Sequence, residues 1–218
     1  MKILSIEGNI GAGKTTVLNE LQNISKNNSD ICIMLEPIEL WENIKDNKNI
    51  SILERFYEDQ DKYAFTFQIM ALATRIKKIR TIIENNPNMK VLICERSLEA
   101  DYNIFAKMLY KSGKIKDIDY QVYLELYNIY KNDYPLDGVI YINTSPIVCY
   151  ERIKKRSRDG ESDIPMDYLN DCHEHHQKWL NNKDMVLPIN TETDWKNTDV
   201  KKDIISKMNK YMLDFIKT

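Results

Sequence analysis

Three of the six glycines in this 218-residue chain lie within six consecutive residues near its start, at Gly8, Gly11 and Gly13. The stretch GNIGAGKT (8–15) matches the pattern G-x-x-x-x-G-K-[ST] and stands between the apolar run KILSIE and a helical pattern. Glycine suits such a loop because its backbone N–H groups must approach a phosphate closely, in conformations that side chains obstruct. Chance produces this pattern in under about 1% of chains of this length, given glycine at about 7% of residues. The feature therefore predicts a phosphate-binding loop between a strand and a helix.

The residue types in this loop predict how each part contacts a nucleotide. The helix that follows directs the positive end of its dipole at the anion. Lys14 supplies a mobile charge to the terminal phosphates, and the Thr15 hydroxyl is a ligand for Mg²⁺. The predicted nucleotide-contacting residues are Gly8, Asn9, Ile10, Gly11, Ala12, Gly13, Lys14, Thr15 and Thr16.

Short apolar runs alternate with longer helical patterns along the chain, which is typical of a parallel sheet covered by helices. Predicted strands span 2–7, 31–36, 90–95, 138–143 and 185–190, and predicted helices span 14–26, 60–84, 97–110, 117–131, 146–158, 166–182 and 198–217. The run VLIC has no polar alternation, as expected for a central strand. The sequence thus predicts an α/β fold with a five-stranded parallel sheet flanked by helices, in one domain over residues 1–218.

Composition narrows the class of protein. A net charge of −2 gives, over the whole chain, no excess of basic residues of the kind that binds nucleic acid or a membrane. No apolar run approaches the ~20 residues of a membrane span, and only two residues precede the first run, which leaves no space for a signal peptide. The four cysteines include no C-x-x-C pair. We therefore expect a cytoplasmic protein with reduced thiols.

The third predicted strand ends in Glu95 and Arg96, at the edge where ligands bind in open α/β sheets. A GTPase or motor normally has an aspartate at this kind of position, and the sequence contains no N-K-x-D stretch for a guanine base. The segment RIKKRSRD places three arginines at helical spacing, Arg152, Arg156 and Arg158. These form either a solvated helix face or a lid whose cations close over a triphosphate.

Gln68 and Arg75 lie two helical turns apart on the predicted helix 60–84, away from its apolar stripe. An amide and a guanidinium beside Phe67 suit a heterocyclic base. The alternative is that both are polar residues on a solvated face.

Five segments together resemble the deoxyribonucleoside kinases, and most of all the deoxycytidine and deoxyguanosine kinase branch. They are IEGNIGAGKTT, EPIELW (36–41), YEDQDKYAFTFQ (57–68), ERSLEAD (95–101) and RIKKRSRDGESDIP (152–165). They span nearly the whole chain in the order of the family. The resemblance implies a P-loop kinase fold with a short arginine-rich lid over about 152–165. It also implies phosphorylation of a deoxyribonucleoside 5′-hydroxyl with ATP and Mg²⁺, in nucleotide salvage.

The resemblance implies a role for individual residues. Glu95 would be the base at the 5′-hydroxyl and a Mg²⁺ ligand through water, while Arg96 and Lys14 would hold the reacting groups. The nucleoside would contact Glu36 at its 5′ end, Tyr57 and Glu161 at the 3′-hydroxyl, and Trp41, Phe67, Gln68 and Phe105 at the base. The ATP site would be completed by Arg152, Arg156 and Arg158 and by the stretch TDW, with Asp194 and Trp195 at the adenine.

Arg75 and Asp101 predict the identity of the base. Thymidine-preferring members generally lack this pair, so the resemblance favours deoxycytidine or a purine deoxynucleoside. Tyr102 departs from the family pattern, which has arginine after the aspartate, and leaves the choice between cytosine and purine open. Two other functions remain: a nucleoside monophosphate kinase of the thymidylate kinase type, and a non-catalytic nucleotide-binding protein. Glu95 favours a kinase with a hydroxyl acceptor over a nucleoside monophosphate kinase. The joint presence of the base, the lysine and the lid arginines disfavours a non-catalytic protein.

Two further residue clusters are interpreted as structural rather than functional. HEHH (173–176) lacks the spacing of an H-E-x-x-H zinc site, so a surface or interdomain face is expected. The aromatic stretch YQVYLELYNIY (120–130) has apolar spacing and no interleaved basic residues, which indicates core or interface rather than nucleic-acid binding. The resemblance finally implies a homodimer through helices 60–84 and 97–110.

Overall fold

A computed structural model shows the predicted alternation of strands and helices, and it describes residues 1–156, 161, 164–181, 183–192 and 198–217. The strands are β1 (Lys2–Gly8), β2 (Ile31–Met34), β3 (Val91–Glu95), β4 (Gly138–Asn143) and β5 (Val186–Asn190). The helices are α1 (Lys14–Ser25), α2 (Ile38–Asn43), α3 (Ile52–Glu58), α4 (Gln60–Asn85), α5 (Leu98–Ala100), α6 (Lys107–Lys111), α7 (Asp117–Tyr130), α8 (Pro146–Arg156), α9 (Met166–Leu180) and α10 (Thr198–Lys217). A π-helical segment, Asp101–Ala106, joins α5 to α6.

The five strands form one parallel sheet in the order β2-β3-β1-β4-β5. The register pairs Ile6 with Glu95 and Gly8 with Ile142, so the carboxyl ends of three neighbouring strands share one edge. The glycine-rich loop leaves β1 at this edge, and α1 starts there. The predicted fold class is therefore confirmed, and its topology brings the loop beside the end of β3.

Helices bury both faces of the sheet. On one face, Ile6 packs with Leu18 of α1 and Met208 of α10. On the other face, Leu92 packs with Leu72 of α4. Every residue of β3 is buried, as expected for a central strand. None of the helices in the described part of the chain is long and apolar enough to cross a membrane.

Three predictions of local structure are wrong. β2 ends at Met34, two residues before the predicted end at residue 36. The prediction omits α2 and α3, which have only six and seven residues and show no full amphipathic repeat. A signal for α3 exists, because Ser51 and Glu54 form a reciprocal capping box. The predicted helix 97–110 is divided by the π-helical segment, and helix α8 is described only as far as Arg156.

Candidate active site

A cavity of about 300 Å³ lies at the carboxyl edge of the sheet, beside the glycine-rich loop. The predicted site residues that line it are Ile10, Gly11, Gly13, Lys14, Thr15, Thr16, Glu36, Trp41, Tyr57, Phe67, Gln68, Arg75, Glu95, Arg96, Asp101, Phe105, Arg152, Arg156 and Glu161. Gly8, Asn9 and Ala12 belong to the loop but not to the lining. Arg158, Asp194 and Trp195 lie outside the described residues. The structure thus joins the phosphate loop, the end of β3 and the aromatic residues in one space.

The conformation of the loop requires glycine. Gly11 has a φ of 78°, and a β-carbon there would lie 2.5 Å from the carbonyl oxygen of Cys149. Gly13 is the N-cap of α1, with a φ of 101°, and carries no side chain to cap it. The first N–H groups of α1 are therefore available to an anion.

Lys14 is held at the end of this loop. Its Nζ donates to the carbonyl oxygen of Asn9 at 2.9 Å. The side chain is buried, and burial lowers its pKa to about 8, with Arg96 adding to the effect. A phosphate bound at the loop would favour the charged form.

Thr15 and Glu95 meet where the loop faces the end of β3. The Thr15 hydroxyl donates to Glu95 Oε1 at 2.8 Å, and the N–H of Glu36 lies 3.5 Å from Glu95 Oε2. Hydroxyl and carboxylate oxygens are the ligands that Mg²⁺ takes in kinase sites. These two side chains therefore fit the predicted magnesium site, directly or through water.

Arg75 is wholly enclosed by acceptors. Its guanidinium donates to Asp101 Oδ2 at 2.7 Å and Oδ1 at 3.2 Å, to Glu36 Oε1 at 3.1 Å, and to the Glu95 carbonyl at 2.6 Å. Burial alone would lower the pKa of Arg75, but Asp101 and Glu36 raise it above its ordinary value. Burial raises the pKa of Asp101, although Arg75 opposes this. Arg75 therefore connects Asp101 of the cavity lining to the backbone of the predicted catalytic carboxylate.

Arg96 occupies a strained turn. Its φ of 62° is unusual for a residue with a β-carbon and costs about 1–2 kcal/mol. Its Nε lies 3.2 Å from Glu36 Oε1, its guanidinium carbon lies 4.6 Å from the centre of the Phe105 ring, and its buried Nη1 has no hydrogen-bond partner among the described residues. Burial would raise the pKa of Glu36, but Arg96 and Arg75 hold it below its usual value. Arg96 thus presents a positive donor to the cavity.

Aromatic side chains form the far part of the cavity. Trp41 meets Phe67 edge to face with ring centres 5.3 Å apart, and Phe56 stacks on Phe67 at 4.6 Å. Trp41 Nε1 donates to Thr74 Oγ1 at 3.0 Å. Gln68 is buried here, and its Oε1 has no partner among the described residues. The pocket offers flat apolar walls and one amide acceptor, which suits a heterocycle with a donor at its edge.

Tyr57 and Glu161 also share this cavity. Burial raises the pKa of Tyr57 well above its usual value, and Glu161 adds to the effect, so its phenol stays protonated. Glu161 forms an ion pair with Arg156. A neutral donor beside a carboxylate can bind a hydroxyl group as both acceptor and donor.

Arg152 connects the glycine-rich loop to the end of β5. It donates to the carbonyl oxygens of Ala12 at 3.1 Å and Thr191 at 2.6 Å. Both Arg152 and Arg156 line the cavity. Arg152 is half-buried, so the solvated-face alternative does not hold for it, whereas Arg156 is exposed.

Some expectations are corrected by the structure. Tyr102 is not among the residues that line the cavity, because its ring stacks on Tyr127 with centres 4.7 Å apart. His176 does not lie on a surface or interdomain face but is fully buried, and its ring stacks near Tyr141. The cavity also has lining residues that the sequence did not indicate: Ile38, Leu53, Phe56, Ala71 and Tyr168. Leu53 and Phe56 are on α3, so the capping box at Ser51 is the signal that could have found them.

Comparisons with known proteins identify the family of the chain. A family model described as deoxynucleoside kinase matches residues 4–213. A probable deoxycytidine kinase of fowlpox virus is 37% identical over 203 residues, which cover 89% of this chain and 80% of the relative. Deoxycytidine kinase 2 of Gallus gallus is 30% identical over 248 residues, which cover 100% of this chain and 90% of the relative. Human mitochondrial thymidine kinase 2 is 33% identical over 181 residues, which cover 82% of this chain and 64% of the relative. The similarity therefore extends across relatives named for different bases.

Proposed function

Because this chain belongs to the deoxynucleoside kinase family and is a kinase, we propose that it phosphorylates the 5′-hydroxyl of a deoxyribonucleoside with ATP. The observation that carries the proposal is the position of Glu95. Its carboxylate touches the Thr15 hydroxyl of the phosphate loop and borders the same cavity as the aromatic residues. A nucleoside stacked on those residues would have its 5′-hydroxyl between the carboxylate and the phosphate loop.

In this mechanism Glu95 orients the hydroxyl and accepts its proton late, because phosphoryl transfer passes through a loose transition state. Lys14 and Arg96 stabilise the charge on the transferred group. Thr15 and Glu95, the latter through water, would hold Mg²⁺, which would help to neutralise the phosphates. Arg152 and Arg156 cover the phosphates and exclude water. Glu95→Gln should retain ATP binding and lower turnover by ~10² or more.

The sugar and base are proposed to occupy the rest of the cavity. Tyr57 and Glu161 bind the 3′-hydroxyl and leave little space at the 2′ position. Gln68 pairs with the base edge, which lies between Phe67 and Phe105. The neutral phenol of Tyr57 and the unpartnered oxygen of Gln68 support these assignments.

We propose deoxycytidine or a purine deoxynucleoside as the preferred substrate, rather than thymidine. The support is the Arg75–Asp101 pair, together with a Gln68 acceptor that an exocyclic amino group would satisfy. Arg75→Met combined with Asp101→Ala should shift preference toward thymidine. An unchanged ranking of substrates would remove this pair from the choice of base.

The deciding experiment compares initial phosphorylation rates with Mg·ATP for deoxycytidine, deoxyadenosine, deoxyguanosine, thymidine and dTMP. We expect one of the first three to lead. Thymidine leading would keep the reaction and overturn the base preference. Activity on dTMP alone would identify a nucleoside monophosphate kinase. If ADP forms with none of these five compounds, the alternative of a non-catalytic nucleotide-binding protein would be favoured.

We also propose that the protein is a homodimer. Ile118, Val122 and Ile129 lie on one side of α7 and are 74%, 51% and 62% exposed, and α7 packs against α4. Much of the predicted partner segment 97–110 is instead buried within its own chain, which makes α7 the better candidate beside α4. Light scattering should show a dimer that Val122→Glu converts to a monomer. The control Ile24→Glu changes a similarly exposed residue on α1 and should stay dimeric.

A further inference from the structure

Glu7 is a buried acidic residue that the proposed reaction does not use. It lies at the end of β1 and is fully buried. Its Oε1 accepts a hydrogen bond from Ser97 Oγ at 2.8 Å. Its Oε2 makes no hydrogen bond of standard geometry with the described residues, although the Ser5 hydroxyl lies close enough to the carboxyl to lower its pKa. A buried carboxylate with an unsatisfied oxygen opposes folding, so a reason other than stability is needed for it.

The partner of Glu7 directly follows the strained turn. Ser97 Oγ also accepts from the Ala100 N–H at 3.0 Å and so caps α5. The N–H of Arg96, whose φ is 62°, donates to the Ile6 carbonyl at 3.2 Å. Two adjacent residues of β1 therefore hold the two sides of one turn, Ile6 by its carbonyl and Glu7 by its carboxylate.

The groups that act on this carboxylate come from the turn, two helices and two strands. They are Arg96 and Ser97 of the turn, Arg75 of α4, Lys14 of α1, Cys94 of β3 and Ser5 of β1. Burial raises the pKa of Glu7 to about 7, and Arg96 is the strongest opposing influence. At pH 8 the folded protein therefore keeps a charge in its interior that the unfolded chain exposes to water.

We propose that Glu7 is a positioning residue of the kinase: acting through the Ser97 hydroxyl, it holds the turn that directs Glu95 and Arg96 into the cavity. This rests on the proposed function, which assigns the roles of Glu95 and Arg96. At pH 8, where Glu7 is ionised, a carboxylate suits the position because it only accepts hydrogen bonds. It makes the Ser97 hydroxyl donate, and the serine oxygen then accepts from Ala100. A glutamine has nearly the same size but can present its NH₂ group and carries no charge beside Arg96.

The test compares Glu7→Gln, Ser97→Ala and the double variant with the control Glu99→Gln. Glu99 is on α5, directly after the turn, and its carboxylate pairs with Lys183 at the surface. For each protein, kcat and KM are measured with ATP and with the best deoxynucleoside. Urea unfolding at pH 8 and pH 5 gives the stability without reference to activity.

We expect Glu7→Gln to lower kcat about tenfold, which corresponds to one hydrogen bond to a charged group. The KM for ATP should change by less than about twofold, because the phosphate loop is unaltered. The variant should be more stable than wild type at pH 8, and this gain should shrink at pH 5, where the native Glu7 is protonated. The double variant should be no slower than the slower single variant, since both changes break one link. Glu99→Gln should keep the kcat of wild type.

Three results would overturn the proposal. A wild-type kcat in Glu7→Gln would show that the carboxylate positions nothing. A loss of stability together with a loss of kcat and a raised KM would show a purely structural role. Effects that multiply in the double variant would show that Glu7 does not act through Ser97. If wild type phosphorylates none of the deoxynucleosides, the proposed function is wrong instead, and the unfolding data still decide whether Glu7 opposes folding.

Discussion

Replacing Arg75 with methionine should destabilise the protein strongly, and replacing Asp101 with alanine in the same chain should restore part of the loss. Arg75 and Asp101 have side chains that are only 1% and 3% exposed. Without the guanidinium, Asp101 loses two hydrogen bonds, and Glu36 and the Glu95 carbonyl lose one each. The main cost is that a carboxylate remains in the interior without its counter-charge.

The magnitude follows from this burial. Removing one partner of a buried ion pair costs about 3–5 kcal/mol. For a chain of this length each kcal/mol lowers Tm by about 2–4 °C, so the single variant should melt about 6–20 °C lower. In the double variant the orphaned carboxylate is gone, and Glu36 keeps Arg96 at 3.2 Å. We expect the double variant to be about 1–3 kcal/mol more stable than Arg75→Met alone.

The pH dependence gives an independent check. Burial raises the pKa of Asp101 above 3.8 even with Arg75 present, and loss of Arg75 raises it further. A carboxyl with a raised folded-state pKa contributes stability that is fully present below its unfolded pKa and is lost as pH rises through the folded value. The deficit of Arg75→Met should therefore be larger at pH 8 than at pH 5. The double variant should lack this difference.

The assay is urea unfolding followed by circular dichroism at both pH values, with m-values compared to exclude a change in the denatured state. Arg55→Met is the matched control, because Arg55 pairs with Asp46 at the surface and its loss should lower the stability far less than the loss of Arg75. Equal stability of the single and double variants would refute the reasoning, since the orphaned carboxylate would then not be the source of the cost.

Three further predictions concern the loop and the base pocket. Gly11→Ala should lower the free energy of unfolding by about 1–3 kcal/mol through overpacking and by about 1–2 kcal/mol more through backbone strain. Gly113 has a φ of 73° and open space around it, so Gly113→Ala should show only the effect of strain when the two variants are compared by urea unfolding. Because the pKa of Lys14 is about 8, ATP affinity should fall about tenfold from pH 7 to pH 9, and calorimetry in buffers of different ionisation enthalpy should show proton uptake near pH 8. Thr74→Val removes the acceptor of the Trp41 indole, so nucleoside KM should rise about fivefold at unchanged kcat, with a change in tryptophan fluorescence.

The sequence was sufficient for features that depend on local pattern. Strand, glycine-rich loop and helix are contiguous, so their signals reinforce one another, and a parallel sheet then brings Glu95 beside the loop. Gln68 and Arg75 share one line of α4 because their spacing is seven residues, and both line the cavity. Periodicity and motif spacing therefore predicted the class of fold, the glycine-rich loop and the positions of Glu95 and of the Gln68–Arg75 line, whereas the family resemblance supplied the other predicted lining residues, among them Glu36, Tyr57 and Phe105.

Other features depend on packing between distant segments. Tyr102 lies in the π-helical segment, and its ring stacks on Tyr127 of α7. His176 is buried because α9 packs its ring near Tyr141 of β4. α2 and α3 are too short to show a helical repeat, so their contribution to the pocket was invisible apart from one capping box. In each case the deciding contact is made by residues far apart in the chain.

The cations around the cavity fall into two groups with different consequences. Arg75 is saturated by two carboxylates and a carbonyl, so it can fix geometry but has no hydrogen bond to offer a phosphate. Lys14 donates to a backbone carbonyl, and Arg96 keeps a buried Nη1 without a partner among the described residues. The cations that keep donors for a ligand therefore lie beside the glycine-rich loop, where burial disfavours the charge of Lys14 until an anion arrives. The protein should accordingly gain stability from ATP, and most of that gain should disappear in Lys14→Met, because the charge that ATP relieves is then absent.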